Sequence, residues 1–303
     1  MSGAVAPAGG QDTTGLVRAM PAVFVLIWST GFVVARFGMP HAPPMGFLLW
    51  RYVLSVLLFG VWIAVARARW PQGRDQWGHL AVTGILMHAG YLGGVWAAVK
   101  DGLGAGTAAL VVGLQPLLTA MWLSARGAGH HVPARQWAGL VLGLVGLLLV
   151  VWHKLGIGEV HALNLGLVVG ALGSITAGTL YQKAFVKPCD VRTANTVQLL
   201  AAALVTAPLA ALESESLRWH PELVGAMAWS VGALTLGGSS LLYLLIQRGA
   251  ATRVTSLMYL VPPCTAVLAW LLFGEAITAS VVVGMVLTAA GVAMVVRTGR
   301  ARA

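Results

Sequence analysis

Apolar residues run along this chain in long blocks, each near the roughly 20 residues a helix needs to cross a bilayer core, with short polar breaks between them. Ten blocks stand out: Met20 to Phe37, Pro44 to Ala66, Gln76 to Ala98, Leu103 to Ala125, Ala134 to Trp152, Leu163 to Gln182, Ala194 to Leu212, Glu222 to Gln247, Val254 to Phe273 and Ile277 to Val296. The pattern predicts an all-α integral membrane protein of ten transmembrane helices. The connections take only roughly three to eleven residues, which leaves no room for a soluble catalytic domain. Residues 1–19, mostly Gly, Ala and polar, read as a flexible cytoplasmic tail, and residues 297–303 as a second. The first block lacks a small-residue cleavage site and more blocks follow it, so it reads as a helix rather than a removed leader.

The chain also repeats itself weakly, at a spacing of about 146 residues. Gly139 and Gly146 match Gly284 and Gly291, Pro116 matches Pro262, and Gly31 and Arg36 match Gly178 and Lys183. Residues 20–152 and 162–296 then form two repeats of five helices. Five is odd, so the second repeat enters the membrane inverted, an arrangement suited to alternating access around a site near the midplane.

Composition sharpens this picture. Of 303 residues 58% are hydrophobic and 9% charged, with a mean hydropathy of +0.83, far below the charged share of about 25% in soluble domains. The net charge of +10 does not point to nucleic acid, because the basic residues sit in short loops rather than on one face with aromatics between them. With the amino terminus inside, fourteen Lys and Arg fall on the cytoplasmic side and three outside (Lys100, Lys154 and Arg218), while Arg36 and Arg51 lie within spans. That bias places a multi-pass protein in a bacterial-type inner (plasma) membrane with both termini cytoplasmic. Cys189 and Cys264 are too differently placed for a disulfide framework, and the His130–His131 pair has no companion ligand, so neither a metal nor a cofactor is expected.

Ionisable groups inside spans are costly and are therefore the first candidates for function. Arg51, in the second span, offers a fork for a substrate carboxylate, against the alternative of snorkelling to the interface. His88, in the third, is the candidate for proton coupling, against a neutral packing role. Pro116, Pro262 and Pro263 are expected to kink their helices and free carbonyls. Gln115 and Tyr259 add polarity beside them. Trp28, Ser29, Tyr91, Trp96, Ser174, Thr176, Gln198, Ser240 and Tyr243 are candidates to line a central cavity, with helix glue as the alternative role. Gln198 falls where the repeat places Arg51, so the two halves present unlike polar groups. Glu275 reads as a structural cap at the start of the tenth helix.

Several stretches resemble one family. WSTGFVVARF (Trp28 to Phe37), LLWRYVLSVLLF (Leu48 to Phe59), AGTAALVVGLQPLLTAMW (Ala105 to Trp122), TSLMYLVPPCTAVLAWLLFGEAIT (Thr255 to Thr278) and VGMVLTAAGVAMVV (Val283 to Val296) are similar to EamA-type members of the drug/metabolite transporter superfamily. The resemblance implies ten helices, two EamA repeats, and export or exchange of amino acids or other small metabolites. The family's Gly-Glu pair is present at Gly274-Glu275 but not after the fourth span, where the chain reads SARGAGHHVPARQW (Ser124 to Trp137). Neither a Gly-x-Ser-x-Gly elbow nor a His-Glu-x-x-His pair is present, which argues against a membrane-embedded enzyme. A scaffold or sensor is the remaining rival. The expected partners are a small solute and membrane lipid, with a homodimer left open and nucleic acid not expected.

Overall fold

The computed structural model describes residues 13–126, 134–238, 241 and 260–300, and among these there is helix and connection but no strand. In chain order the helices are α1 (Thr13–Gly38), α2 (Pro44–Ala66), α3 (Arg74–Lys100), α4 (Ala105–Val112), α5 (Gln115–Arg126), α6 (Ala134–Gly156), α7 (Ala162–Phe185), α8 (Val191–Leu212), α9 (Pro221–Trp229), α10 (Val261–Phe273) and α11 (Ala279–Arg300). Among the described residues five helical stretches are long and apolar enough to span a bilayer alone: Pro44–Ala66, Arg74–Lys100, Trp137–Gly156, Ala162–Phe185 and Val191–Ala211. Shorter apolar helices lie at Ala22–Gly38, Ala105–Thr119, Val261–Phe273 and Ala279–Met294. α1 begins before Met20 and α11 runs past Val296, into the segments expected as tails. Hydropathy marks where a helix leaves hydrocarbon, not where its hydrogen bonds stop.

The expected third span is not uniform. Over Ile85–Gly90 α3 widens into a π-helical turn, and α9 passes directly into a second one, Ser230–Gly238. The two lie at matching places in the repeat. Such widened turns shift backbone pairing from i−4 to i−5 and recur at functional sites.

The expected fourth span is interrupted at Gly113–Leu114, and Pro116, which has no amide to donate, sits in the first turn of the helix that follows. Leu114 N instead donates to Val111 O at 3.2 Å, a tighter turn that closes α4. Pro262 and Pro263 sit in the first turn of α10, where a missing amide costs nothing. The two sites meet: a Cβ on Gly113 would stand 2.9 Å from Pro262 Cγ.

α6 and α11 cross antiparallel through their glycines. A side chain on Gly146 would come within 2.5 Å of Gly284 O, and one on Gly291 within 2.4 Å of Gly139 O. With lipid as apolar as any side chain, close backbone packing of this kind is what joins membrane helices. Phe24, Phe47, Tyr52, Phe59 and Trp96 are buried between the other helices, while Leu57, Val65, Trp152 and Leu204 are exposed in the lipid-facing manner.

The two ends of the bundle differ in charge. At one, the connections around residues 39–43, 101–104, 157–161, 213–220 and 274–278 carry Asp101, Glu159, Glu213, Glu215 and Glu275, so it is called the acidic end here. At the other, the basic end, Arg67, Arg69, Lys187 and Arg192 surround a pocket of about 570 Å³.

Candidate solute site

Deep between the halves, Arg51 on α2 is 7% exposed. Its Nε donates to Thr235 Oγ1 at 3.2 Å, and the same hydroxyl donates to Ser230 O at 2.8 Å. Across the site, the Gln198 side chain on α8 lies within interaction reach of the His88 imidazole on α3. Arg51 stands 147 residues before Gln198, and His88 stands 147 residues before Thr235. The two pairs are therefore counterparts. In each, a polar side chain from the second helix of one repeat reaches a side chain on the π-helical turn of the other.

Tyr52 completes the cluster by donating from its hydroxyl to His88 O at 2.9 Å, its ring edge-on to the imidazole at 6.1 Å. Tyr52 and Tyr91 both stand within electrostatic reach of the guanidinium. Among the described residues every ion pair lies toward an end of the bundle and none involves Arg51. A buried cation with only neutral partners is an expensive arrangement, and a carboxylate in the site relieves it.

The other sequence candidates are placed as follows. Gln115 Nε2 donates to Thr179 Oγ1 on α7 at 3.1 Å, and the Trp28 ring packs 5.4 Å from Phe24 on its own helix. Ser29 and Thr176 donate to carbonyls of their own helices, Ser174 donates to Leu86 O on α3, and Trp96 stacks on Phe47 in the core. Those four act as glue. Ser240, Tyr243 and Tyr259 lie outside the described residues, as do His130 and His131. Sequence reasoning missed Thr235 and Tyr52. The repeat spacing that aligned Gln198 with Arg51 also aligns Thr235 with His88, so the first was within reach.

Glu275 is a cap, as expected, but of a different helix. Its carboxylate accepts from Ala105 N and Gly106 N at 3.1 and 3.4 Å, at the start of α4 in the other repeat, and stands 4.0 Å from Arg36. Glu159 joins it from Gly104 N and Thr107, and is itself paired with Lys154. A Cβ at position 104 would lie 2.6 Å from Glu159 Oε1 and push that carboxylate off its amide. Glu213 in turn caps α2 at Met45 N and Gly46 N. Carboxylates thus close the acidic end from one repeat to the other.

The basic end is joined differently. Gln76 Nε2 donates to Lys187 O and its Oε1 accepts from Lys187 N, while Thr193 donates to Arg69 O. Asp190 holds Arg192, whose hydrogen bond keeps the carboxyl below its ordinary range.

The model of the EamA-like transporter family matches this chain twice, over residues 19–152 and 164–297. The chain belongs to the EamA-like transporter family. By that membership it is a multi-pass membrane transporter, and the regular structure among its described residues is helical. Among similar proteins, the "Uncharacterized inner membrane transporter YedA" of Escherichia coli (strain K12) is 27% identical over 248 residues, 80% of this chain and 78% of that one. A "Probable amino-acid metabolite efflux pump" of Salmonella typhimurium (strain LT2) is 26% identical over 281 residues, 88% of this chain and 90% of that one. A solved structure described only as "Crystal structure of protein" shares the fold, with a TM-score of 0.64 at 17% identity, covering 94% of this chain and 99% of that one.

Proposed function

We propose that this EamA-family chain exports or exchanges a small carboxylate-bearing metabolite, such as an amino acid, by alternating access, and that Arg51 receives the carboxylate. The observation that carries the reading is the buried guanidinium whose partners among the described residues are neutral. The name of the Salmonella relative, an amino-acid metabolite efflux pump, supports the same class of solute. The basic bias of the loops supports ten spans in two inverted repeats within an inner membrane, with the basic end and both termini in the cytoplasm. The acidic end then faces outward. Its carboxylate caps join the repeats, as a closed outer gate requires, and the helix break at Gly113, packed against Pro262, is a hinge on which the repeats rock.

His88, facing Gln198, is the group that couples proton movement to this cycle. The experiment is uptake of a labelled amino-acid and metabolite panel into proteoliposomes, with and without a pH gradient, for the wild type, Arg51→Ala and His88→Ala. Gradient-driven flux of a carboxylate-bearing solute, lost in Arg51→Ala and uncoupled from the gradient in His88→Ala, is the expected result. A wild type that moves no solute in the panel would favour a scaffold or sensor.

A further inference from the structure

No spacing along the sequence suggests a metal site, yet the fold brings three donors from distant parts of the chain to one point on the acidic end. His41 lies in the connection between α1 and α2, His220 stands just before α9, and Glu222 is in the first turn of α9. His41 Nε2 is 2.8 Å from Glu222 Oε2, and His220 Nδ1 is 3.9 Å from the same oxygen. The two imidazoles stack at 4.3 Å with 14° between their planes, and the three donor atoms all lie within 4.8 Å of one another.

Tetrahedral zinc holds nitrogen and oxygen ligands at about 2.0–2.2 Å, which sets its donors roughly 3.3 Å apart. The observed 2.8 and 3.9 Å fall on either side of that separation. The side chains of His220 and Glu222 are each 50% exposed, so small rotations can reach the required geometry and water can take the fourth position. Two imidazoles and one carboxylate suit zinc and its neighbours better than magnesium or calcium, which prefer all-oxygen sites.

Of the nearby charges, Lys100 is engaged with Glu215 at 2.5 Å and Glu213 with the α2 amides, while Arg218 lines the same pocket as His41. The Glu222 amide donates to His220 Nδ1 over a long 3.3 Å, a contact that a metal replaces.

We propose that His41, His220 and Glu222 bind one divalent transition metal, with zinc the best fit, and that this metal staples the α1–α2 connection to the start of α9. His41 then carries its ring proton on Nδ1 and His220 on Nε2, so acid competes with the metal. The staple reinforces a join already made by Arg218 N donating to His41 O at 2.8 Å. It links the first repeat to the second, so an occupied site holds the acidic end closed.

The test uses the purified full-length protein titrated with Co²⁺ and then Zn²⁺, followed by the visible absorption of four-coordinate cobalt. One Co²⁺ per chain, displaced by Zn²⁺ and bound at least tenfold more weakly by both His220→Ala and Glu222→Gln, is the expected result. His161→Ala and the His130→Ala/His131→Ala pair should bind as the wild type does. Glu222→Gln keeps the size of the side chain, so it answers the question even if His220→Ala fails to fold. No binding by the wild type, or binding that both His220→Ala and Glu222→Gln retain, would overturn the proposal. The readout is metal rather than flux, so it stands apart from the proposed transport.

Discussion

The two polar pairs at the centre share a position and differ in charge. Arg51 with Thr235 and Gln198 with His88 are reached from matching helices and land on matching π-helical turns. One pair holds a fixed cation, while the other holds an amide and an imidazole. The repeat has kept the geometry of contact and let its chemistry diverge. A symmetric site would treat both ends of a solute alike, whereas the proposed solute site would offer a single place for an anion and a separate, softer place for the other end.

Removing the cation breaks that comparison most severely. Arg51→Ala takes away one side of a buried charged contact with substrate, a loss of about 3 kcal/mol, and flux of the preferred solute should fall roughly a hundredfold in proteoliposomes. Glu275→Ala tests the ends rather than the centre. It leaves the first amides of α4 without their ionised acceptor, and the loss of about 2 kcal/mol should appear as a lower melting temperature in detergent. Thr235→Val keeps the shape but removes the hydroxyl that Arg51 donates to. A several-fold rise in KM is expected, in line with about 1 kcal/mol for one neutral hydrogen bond.

The smallest effect lies at the basic end. The Asp190 carboxyl is held below its ordinary value by hydrogen bonding to Arg192, so its stabilisation is complete above the unfolded value of about 3.9 and is lost as pH falls through the lower folded value. The melting temperature of Asp190→Asn should lie slightly below that of the wild type near pH 7, and the two should converge in strong acid.

Much of this was legible in the sequence, for physical reasons that also mark where reading stopped. Blocks of apolar residues announce helices, because lipid offers the backbone no other partner. Gly139, Gly146, Gly284 and Gly291, matched along the chain, meet as close contacts between α6 and α11. The fixed cation at Arg51 was visible because a charge inside a span is rare. The π-helical turns were not, since an i−5 turn leaves no trace in hydropathy. Nor was the partner of Glu275: a carboxylate after a helix reads as a local cap, and only the folded chain brings the α4 amides within reach of it. His41 and Glu222 were invisible as a pair for the same reason, being joined only when the halves pack.

The central claim is that Arg51 recognises a carboxylate, and the most direct measurement compares uptake of a transported amino acid with uptake of its carboxamide in proteoliposomes of the wild type and Arg51→Gln. The acid should be preferred at least tenfold by the wild type and the preference should vanish in the variant. Equal uptake of acid and amide by the wild type, or a preference that survives in Arg51→Gln, would contradict it.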